Sequence, residues 1–164
     1  MANTFIQIGG QTVAAEGLDL PARKFRDYWK LDGGVVSVDQ TKLPEAKAAL
    51  KTKVDVDAEA QRLIYITPGA GQAMTYQQKL AEARLVDAGE SNTAVVPVLA
   101  ASVGIEANTL SQCATLVLAK YAQWQAIANA IETVRLGAKK DIDAAESIED
   151  ADAVYEAIEW PSFE

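Results

Sequence analysis

The sequence predicts a mainly α protein, a helical bundle with one long C-terminal helix, preceded by a small N-terminal β-hairpin element. The first observation is the stretch 110–145, where small or apolar residues recur at alternating steps of four and three and only Arg135 interrupts. The stripe consists of Leu110, Ala114, Val117, Tyr121, Trp124, Ala128, Ile131, Ala138, Ile142 and Ala145. Such spacing places side chains on one helix face, and the helix would be about 50 Å long. The second observation is a pair of Gly-Gly sequences near the start, each with short β-prone runs beside it.

Both Gly-Gly sequences predict β-hairpins. The first joins residues 4–8 to 11–13 through Gly9-Gly10, and the second joins 28–32 to 35–39 through Gly33-Gly34. Glycine accepts the positive φ values of a two-residue hairpin turn, and β-branched residues flank the second turn. The segment 20–26 between the hairpins is expected to form a turn or one short helix.

From about residue 39 the pattern becomes helical. Pro44 and Glu45 suit a first turn, and the following stripe is Leu43, Ala46, Leu50 and Val54. This helix either breaks at 55–57 or continues to Ile66. Residues 67–71 interrupt the pattern, and a further helix is expected over 73–88, ahead of Gly89.

A short apolar segment, 95–103, is followed by Gly104, which we expect to be its C-cap. Asn108 or Thr109 is expected to cap the long helix. Residues 147–159 place Ile148, Ala151, Tyr155 and Ile158 on one helix face, with acids on the others. The predicted organisation is a β-hairpin element over 1–40, a helical domain over 41–145, and an acidic amphipathic tail over 146–164.

Composition narrows the classes of function. The chain carries a net charge of −8, yet nine acids and no base lie between Asp141 and Glu164, which leaves 14 acids against 15 bases elsewhere. No basic footprint points to nucleic acid. No apolar run approaches the ~20 residues that cross a membrane. The opening residues lack signal-peptide character, so we expect synthesis and assembly in a cytoplasm.

The sequence offers little catalytic or metal-binding chemistry. It contains no histidine, which excludes Ser-His and Cys-His catalysis, and Cys113 is its one cysteine, expected to be a buried structural thiol. The segment 69–72 is interpreted as a helix-entry loop, because it lacks the Lys-Ser/Thr of a phosphate loop. The alternating acids Asp55, Asp57 and Glu59 are interpreted as a solvated helix break, because they do not match a calcium loop. We therefore expect no enzyme, no catalytic or metal-binding residue and no cofactor.

The three tryptophans differ in setting. Trp124 lies on the long stripe and is expected in a core, and Trp29 is expected to cover the helices. Trp160 either folds back onto the body or anchors a partner chain. The candidate partner-binding residues are Trp160, Phe163, Tyr155 and Ile158 in the acidic tail, with Gly33 and Gly34 in a hairpin that pairs with or supports a neighbouring chain.

Residues 21–145 resemble a domain of unknown function found in tailed-bacteriophage tail proteins, which are often encoded near tail fibres and their assembly factors. The residues that carry this resemblance are Arg62, the Pro-Gly-Ala-Gly sequence 68–71, the run 76–83, the apolar helix before Gly104, and Trp124, Ile131 and Arg135. Upstream, the sequence 26–29, followed by Val38-Asp39 and a lysine-containing helix, also fits.

The resemblance implies a structural subunit of the phage tail, at the tail tip, baseplate or fibre attachment, which acts by protein–protein packing. Its partners would be other tail or fibre proteins in a homo-oligomer or multi-subunit assembly, with no nucleic acid and no membrane, and its location would be the virion. One alternative is a tail-fibre assembly chaperone that is absent from the mature particle. Another is an enzyme or enzyme inhibitor on an unfamiliar helical fold. The number of subunits stays open, because the long stripe could be covered within a monomer or in a symmetric trimer.

Overall fold

The computed structural model describes residues 5–163 and is mainly α, as predicted. The strands are β1 (Phe5–Ile8), β2 (Gln11–Ala14), β3 (Trp29–Asp32) and β4 (Val35–Val38). The helices are α1 (Leu43–Leu63), α2 (Ala70–Asp87), α3 (Pro97–Ala100), α4 (Leu110–Ala144) and α5 (Ile148–Glu156). Two 3₁₀ helices, Arg23–Tyr28 and Gln40–Lys42, precede β3 and α1.

The chain forms two compact units. The first runs as far as Asp55 and includes Leu136–Ile158, and the second contains Val56–Arg135 and the residues from Glu159 onward. Helices α1 and α4 therefore contribute residues to both units. The organisation into 1–40, 41–145 and 146–164 stays a prediction based on sequence composition.

Both predicted hairpins are present. Strand β1 pairs antiparallel with β2, and β3 pairs antiparallel with β4, in two separate two-stranded sheets. Gly33 and Gly34 have φ values of 55° and 84°, the positive values that a two-residue primed turn requires at both positions. Thr4, which was predicted to begin the first strand, lies outside the described residues. The segment between the hairpins forms the 3₁₀ helix Arg23–Tyr28, within the expected range of outcomes.

Helix α1 continues through Asp55-Val56-Asp57 and ends at Leu63, so of the two alternatives the continued helix is correct, with its end three residues before Ile66. The interpretation of these acids as a helix break is wrong. The Asp55 carboxylate accepts hydrogen bonds from Lys139 Nζ at 2.7 and 2.9 Å, within the first unit. An acid on the outer face of a helix does not break it when its charge is solvated or paired.

One apolar core of the first unit joins both hairpins to helices. Its buried members are Ile8, Phe25, Trp29, Val36, Ala46 and Ile148, so both hairpins, the first 3₁₀ helix, α1 and α5 contribute. The start of α5 is capped twice: Ser147 Oγ accepts the Asp150 N–H at 3.0 Å, and Gln40 Oε1 accepts the Ile148 N–H at 2.9 Å. These acceptors satisfy N–H groups that have no partner within the helix.

The second unit contains two apolar clusters. One joins α2, α3 and the start of α4 through the buried residues Ala83, Val96, Leu99, Cys113 and Ala114. The other joins the end of α1 to the middle of α4 through Ala58, Ile127 and Ile131. Cys113 is fully buried, as expected of a structural thiol.

Helix α2 begins at Ala70, three residues before the predicted start. The interruption before it is real, because Gly69 has a φ of 128° that side chains rarely adopt, but Gly71 is accommodated within the first turn. Gly104 is not the C-cap of the short helix, because α3 ends at Ala100 and Ala101 is its cap. The Gly104 N–H donates instead to the Ala107 carbonyl at 2.7 Å, in the loop that leads to α4.

The long helix is confirmed, with α4 covering Leu110–Ala144. Its N-cap is Thr109, whose hydroxyl accepts the Gln112 N–H at 3.2 Å. Every residue of the predicted stripe is buried or half-buried, so the periodicity identified the packed face of the helix correctly.

Candidate functional site

An open cleft lies in the second unit. It has a volume of about 550 Å³. Its walls come from the segment after α1, from α2, and from two turns of α4, with Glu106 at one edge. We call this surface the aromatic cleft because four rings line it, those of Tyr65, Tyr76, Tyr121 and Trp124, beside Ile66, Thr67, Ala73, Gln77, Lys79, Leu80, Glu106, Val117 and Lys120.

Regular helical spacing positions most of these side chains. On α2, Ala73, Tyr76, Gln77 and Leu80 are separated by three, one and three residues, which places them on one face. On α4, Val117, Tyr121 and Trp124 are successive members of the long stripe and are half-buried. The cleft is thus formed where one helix face of α2 meets one of α4 without filling the space between the rings.

Positive charge predominates around the aromatic cleft. Lys79 Nζ is 2.6 Å from Glu106 Oε1, and the Lys120 side chain is exposed. The Arg84 guanidinium lies 5.4 Å from the centre of the Tyr121 ring, in cation–π geometry. Two lysines and one carboxylate therefore line the cleft, and the Arg84 side chain contacts one of its rings, in a chain whose net charge is −8.

The surroundings of the cleft change the pKa of the Tyr76 hydroxyl. Hydrogen bonding to Gln72 and Thr67 lowers the pKa of Tyr76, and the nearby charges of Lys120 and Lys79 act in the same direction. Burial acts in the opposite direction but more weakly than the hydrogen bonds, so the net effect on the Tyr76 hydroxyl favours its anionic form.

The first half of α2 has no packed face. All residues from Ala70 to Gln78 are exposed, whereas packing begins at Lys79 and Leu80 and becomes complete at Glu82 and Ala83. Helices in globular proteins gain most of their stability from burying an apolar face. This half of α2 therefore leaves much of its surface exposed to solvent, while Ala73, Tyr76 and Gln77 line the aromatic cleft.

Exposed large apolar side chains are concentrated in the second unit. Among the described residues, Phe5, Val35 and Leu136 belong to the first unit. Those of the second unit are Val56, Leu63, Ile64, Met74, Tyr76, Leu85, Val95, Val103 and Ile105, and Ile105 is 83% exposed. Of these residues, Tyr76 lines the aromatic cleft. Single exposed apolar residues are ordinary, whereas exposed apolar surface that is contiguous is typical of a protein-interaction site.

The acidic tail does not present its two large terminal rings freely. Trp160 and Phe163 are half-buried against the cluster Ala58, Ile127 and Ile131, together with Tyr65 and Trp124. The Phe163 and Tyr65 rings meet edge to face with centroids 5.7 Å apart, and the Phe163 N–H donates to the Tyr65 hydroxyl at 3.2 Å. Of the two alternatives for Trp160, the structure thus shows the one in which it folds back onto its own chain.

The other predicted partner-binding residues lie in the first unit. Tyr155 and Ile158 are half-buried, and Lys53 Nζ lies 5.5 Å from the centre of the Tyr155 ring. Gly33 and Gly34 are exposed at the tip of the second hairpin. The structure therefore distributes the six predicted residues over both units, and their role in partner binding stays a prediction.

Many acids of the tail are paired within the first unit. The Lys24 ammonium forms ion pairs with Asp152 and Glu156, which raise the pKa of Lys24, and Gln40 Nε2 donates to Glu149 at 2.7 Å. Lys51 Nζ is 2.6 Å from Asp143 Oδ1. These contacts join α5 and the end of α4 to the two 3₁₀ helices and to α1 within the first unit.

The sequence interpretation missed the aromatic cleft. Tyr121, Trp124 and Val117 were assigned to a packed stripe, which is correct, but periodicity does not show that the opposing face of α2 leaves a gap. The sequence feature that pointed to it was that Tyr76 and Leu80 lie on one face of α2, with glutamines and alanines around them.

A second depression, of about 540 Å³, lies in the first unit and is lined by Gln7, Gly9, Gly10, Arg26, Asp27, Trp29 and Lys42. The Trp29 indole N–H is buried and has no acceptor among residues 5–163. Over the same residues, no cluster of three or more potential metal ligands is found, and no helix is long and apolar enough to span a bilayer.

Comparison with protein-family models, with curated proteins and with solved structures returns no match.

Proposed function

We propose that this chain is a structural subunit of a bacteriophage tail, located at the tail tip, baseplate or fibre attachment, and that it acts by packing against other tail or fibre proteins. The observation that carries the proposal is the aromatic cleft, an open apolar surface in a unit that also exposes most of the large apolar side chains. A surface of this kind loses water favourably when another protein covers it.

The two parts of the proposal have different support. The cleft and the projecting half of α2 support a role in protein–protein packing. The residues shared with the phage domain, including Arg62 and the sequence 68–71, support the tail. Arg62 is also a structural residue here, because its guanidinium is 2.7 Å from Glu132 and so joins α1 to α4 within the second unit.

Quantitative mass spectrometry of purified phage particles tests the proposal. A structural subunit is retained through density-gradient purification at a fixed copy number relative to the major tail proteins. Absence from the particles, combined with failure of fibre production when the gene is deleted, would instead support the alternative of a tail-fibre assembly chaperone. Absence from the particles with normal fibres would exclude both.

A further inference from the structure

We infer that the aromatic cleft binds an acidic amphipathic segment of a different protein, with bulky apolar residues on one face and carboxylates beside them. This inference rests on the proposed function, since it names the chemistry of the partner that the packing surface receives. Two observations support it. Charged side chains lie at the cleft edge, and Trp160 and Phe163 already pack with Tyr65 and Trp124, two of the rings that line the cleft.

The charges at the edge favour a carboxylate-bearing partner. Within residues 5–163, neither Lys120 nor Arg84 takes part in an ion pair, and Lys79 has its single partner in Glu106. Lys120 is exposed, and Arg84 rests on the Tyr121 ring. An acidic segment would pair with cations that this chain leaves unpaired, and complementary charge of this kind steers association and fixes orientation.

The rings of the cleft favour an aromatic or bulky aliphatic anchor. Tyr65 and Trp124, which line the cleft, also pack with Trp160 and Phe163 of the acidic tail. The segment 160–163 is Trp-Pro-Ser-Phe and carries no charged side chain. The second unit therefore already accepts one ring-bearing segment against these two side chains, and the open cleft extends the same surface toward Val117 and Tyr121.

The shape of the surface favours a helix or short peptide. The cleft runs between two helices, and the adjoining half of α2 is exposed on all sides. An amphipathic helix laid in such a groove inserts its apolar face between the walls and leaves its polar face in water. The glutamates of that polar edge would then meet the lysines of α2 and α4.

Fluorescence anisotropy with two labelled amphipathic peptides tests the inference on the full chain. One peptide carries leucines on one face and glutamates on the other, and its counterpart carries lysines in place of the glutamates. We expect saturable binding of the glutamate peptide, weaker at high salt, and no binding of the lysine peptide. Lys120→Glu is expected to weaken binding of the glutamate peptide by about tenfold, because it places like charges together.

Lys140→Glu is the matched control, since Lys140 is an exposed lysine of the same helix that lies outside the cleft. If both variants lost the same affinity for the glutamate peptide, the effect would be one of general charge and the inference would be overturned. Equal binding of the two peptides, or binding of neither, would overturn it as well. Sedimentation of the chain alone tests whether a second copy of the chain occupies the cleft. Self-association that Lys120→Glu abolishes would place a second copy there and contradict the inference.

The particle experiment is independent of these outcomes. If the chain is found in particles but binds neither peptide, the proposed function stands and the acidic partner is wrong. If the glutamate peptide binds specifically and the chain is absent from particles, the cleft chemistry stands and the structural role in the tail is wrong.

Discussion

At the scale of single residues, Glu82 holds a loop to a helix. Its side chain is 1% exposed, and both carboxylate oxygens accept hydrogen bonds, from the Leu99 N–H at 2.7 Å and from Gln78 Nε2 at 2.9 Å. Leu99 is the largest fully buried residue of α3, a helix of one turn. Glu82 therefore fixes the segment that closes the cluster around Cys113.

Replacing Glu82 by alanine should lower the free energy of unfolding by about 1–3 kcal/mol, because the buried Leu99 N–H loses its acceptor. Glu82→Gln should cost less, since an amide oxygen can still accept. Urea denaturation measures both, with the exposed Glu146→Ala as a control expected to change little. An alanine variant as stable as the glutamine variant would contradict this role.

Trp160 gives a second prediction at this scale. Because the ring is half-buried against Ala58, Ile127 and Ile131, Trp160→Ala should lower the free energy of unfolding by about 2 kcal/mol, less than full burial would imply. Phe5→Ala, at a ring that is 61% exposed, is the control and should change it little. Unchanged stability in Trp160→Ala would favour a ring that is free to anchor a partner.

At the scale of secondary-structure elements, two glycines with opposite roles provide a paired test. Gly34 has a φ of 84° in the hairpin turn, so Gly34→Ala should cost about 1–2 kcal/mol in backbone strain. Gly137 lies inside α4, and a Cβ added there meets no atom within 4 Å. Gly137→Ala should therefore raise the free energy of unfolding by about 0.5–1 kcal/mol. Thermal denaturation measures whether each variant is less or more stable than the wild type. A change in the same direction for both variants would contradict the opposite roles assigned to Gly34 and Gly137.

The elements that the sequence predicted best are those encoded locally. The Gly33-Gly34 turn needs two residues that accept positive φ, and the α4 stripe needs only its own period, so neighbours along the chain suffice. The sequence left open whether α1 breaks at Asp55 or continues past it. The partner of Asp55, Lys139, is 84 residues away, and only the fold brings the two together.

The candidate site was harder to predict than the elements. Tyr121 and Trp124 were placed correctly on a packed face, but a cleft is a place where packing is incomplete, and periodicity does not record it. Trp160 was open between two alternatives because its half-burial depends on Ile127 and Ile131, which are distant in sequence. The early start of α2 was missed because Gly71 is tolerated in an exposed first turn.

At the scale of the whole molecule, the two units differ in how many of their acids are paired and in how many large apolar side chains they expose. The first unit uses its acids internally, as in the pairs of Lys24 with Asp152 and Glu156. The second unit exposes most of the large apolar side chains and leaves Lys120 and Arg84 outside any ion pair among the described residues. We therefore expect other proteins to contact the second unit.

The most direct test of this account compares two variants of exposed residues on the same helix. Tyr76 lines the aromatic cleft and Met74, two residues earlier, does not, and both side chains are at least about half exposed. Neither serine substitution should therefore unfold the chain. The measurement is the copy number of each variant in purified phage particles. The account predicts that Tyr76→Ser is depleted from particles while Met74→Ser is incorporated like the wild type. Equal incorporation of both variants would contradict a packing role for the cleft.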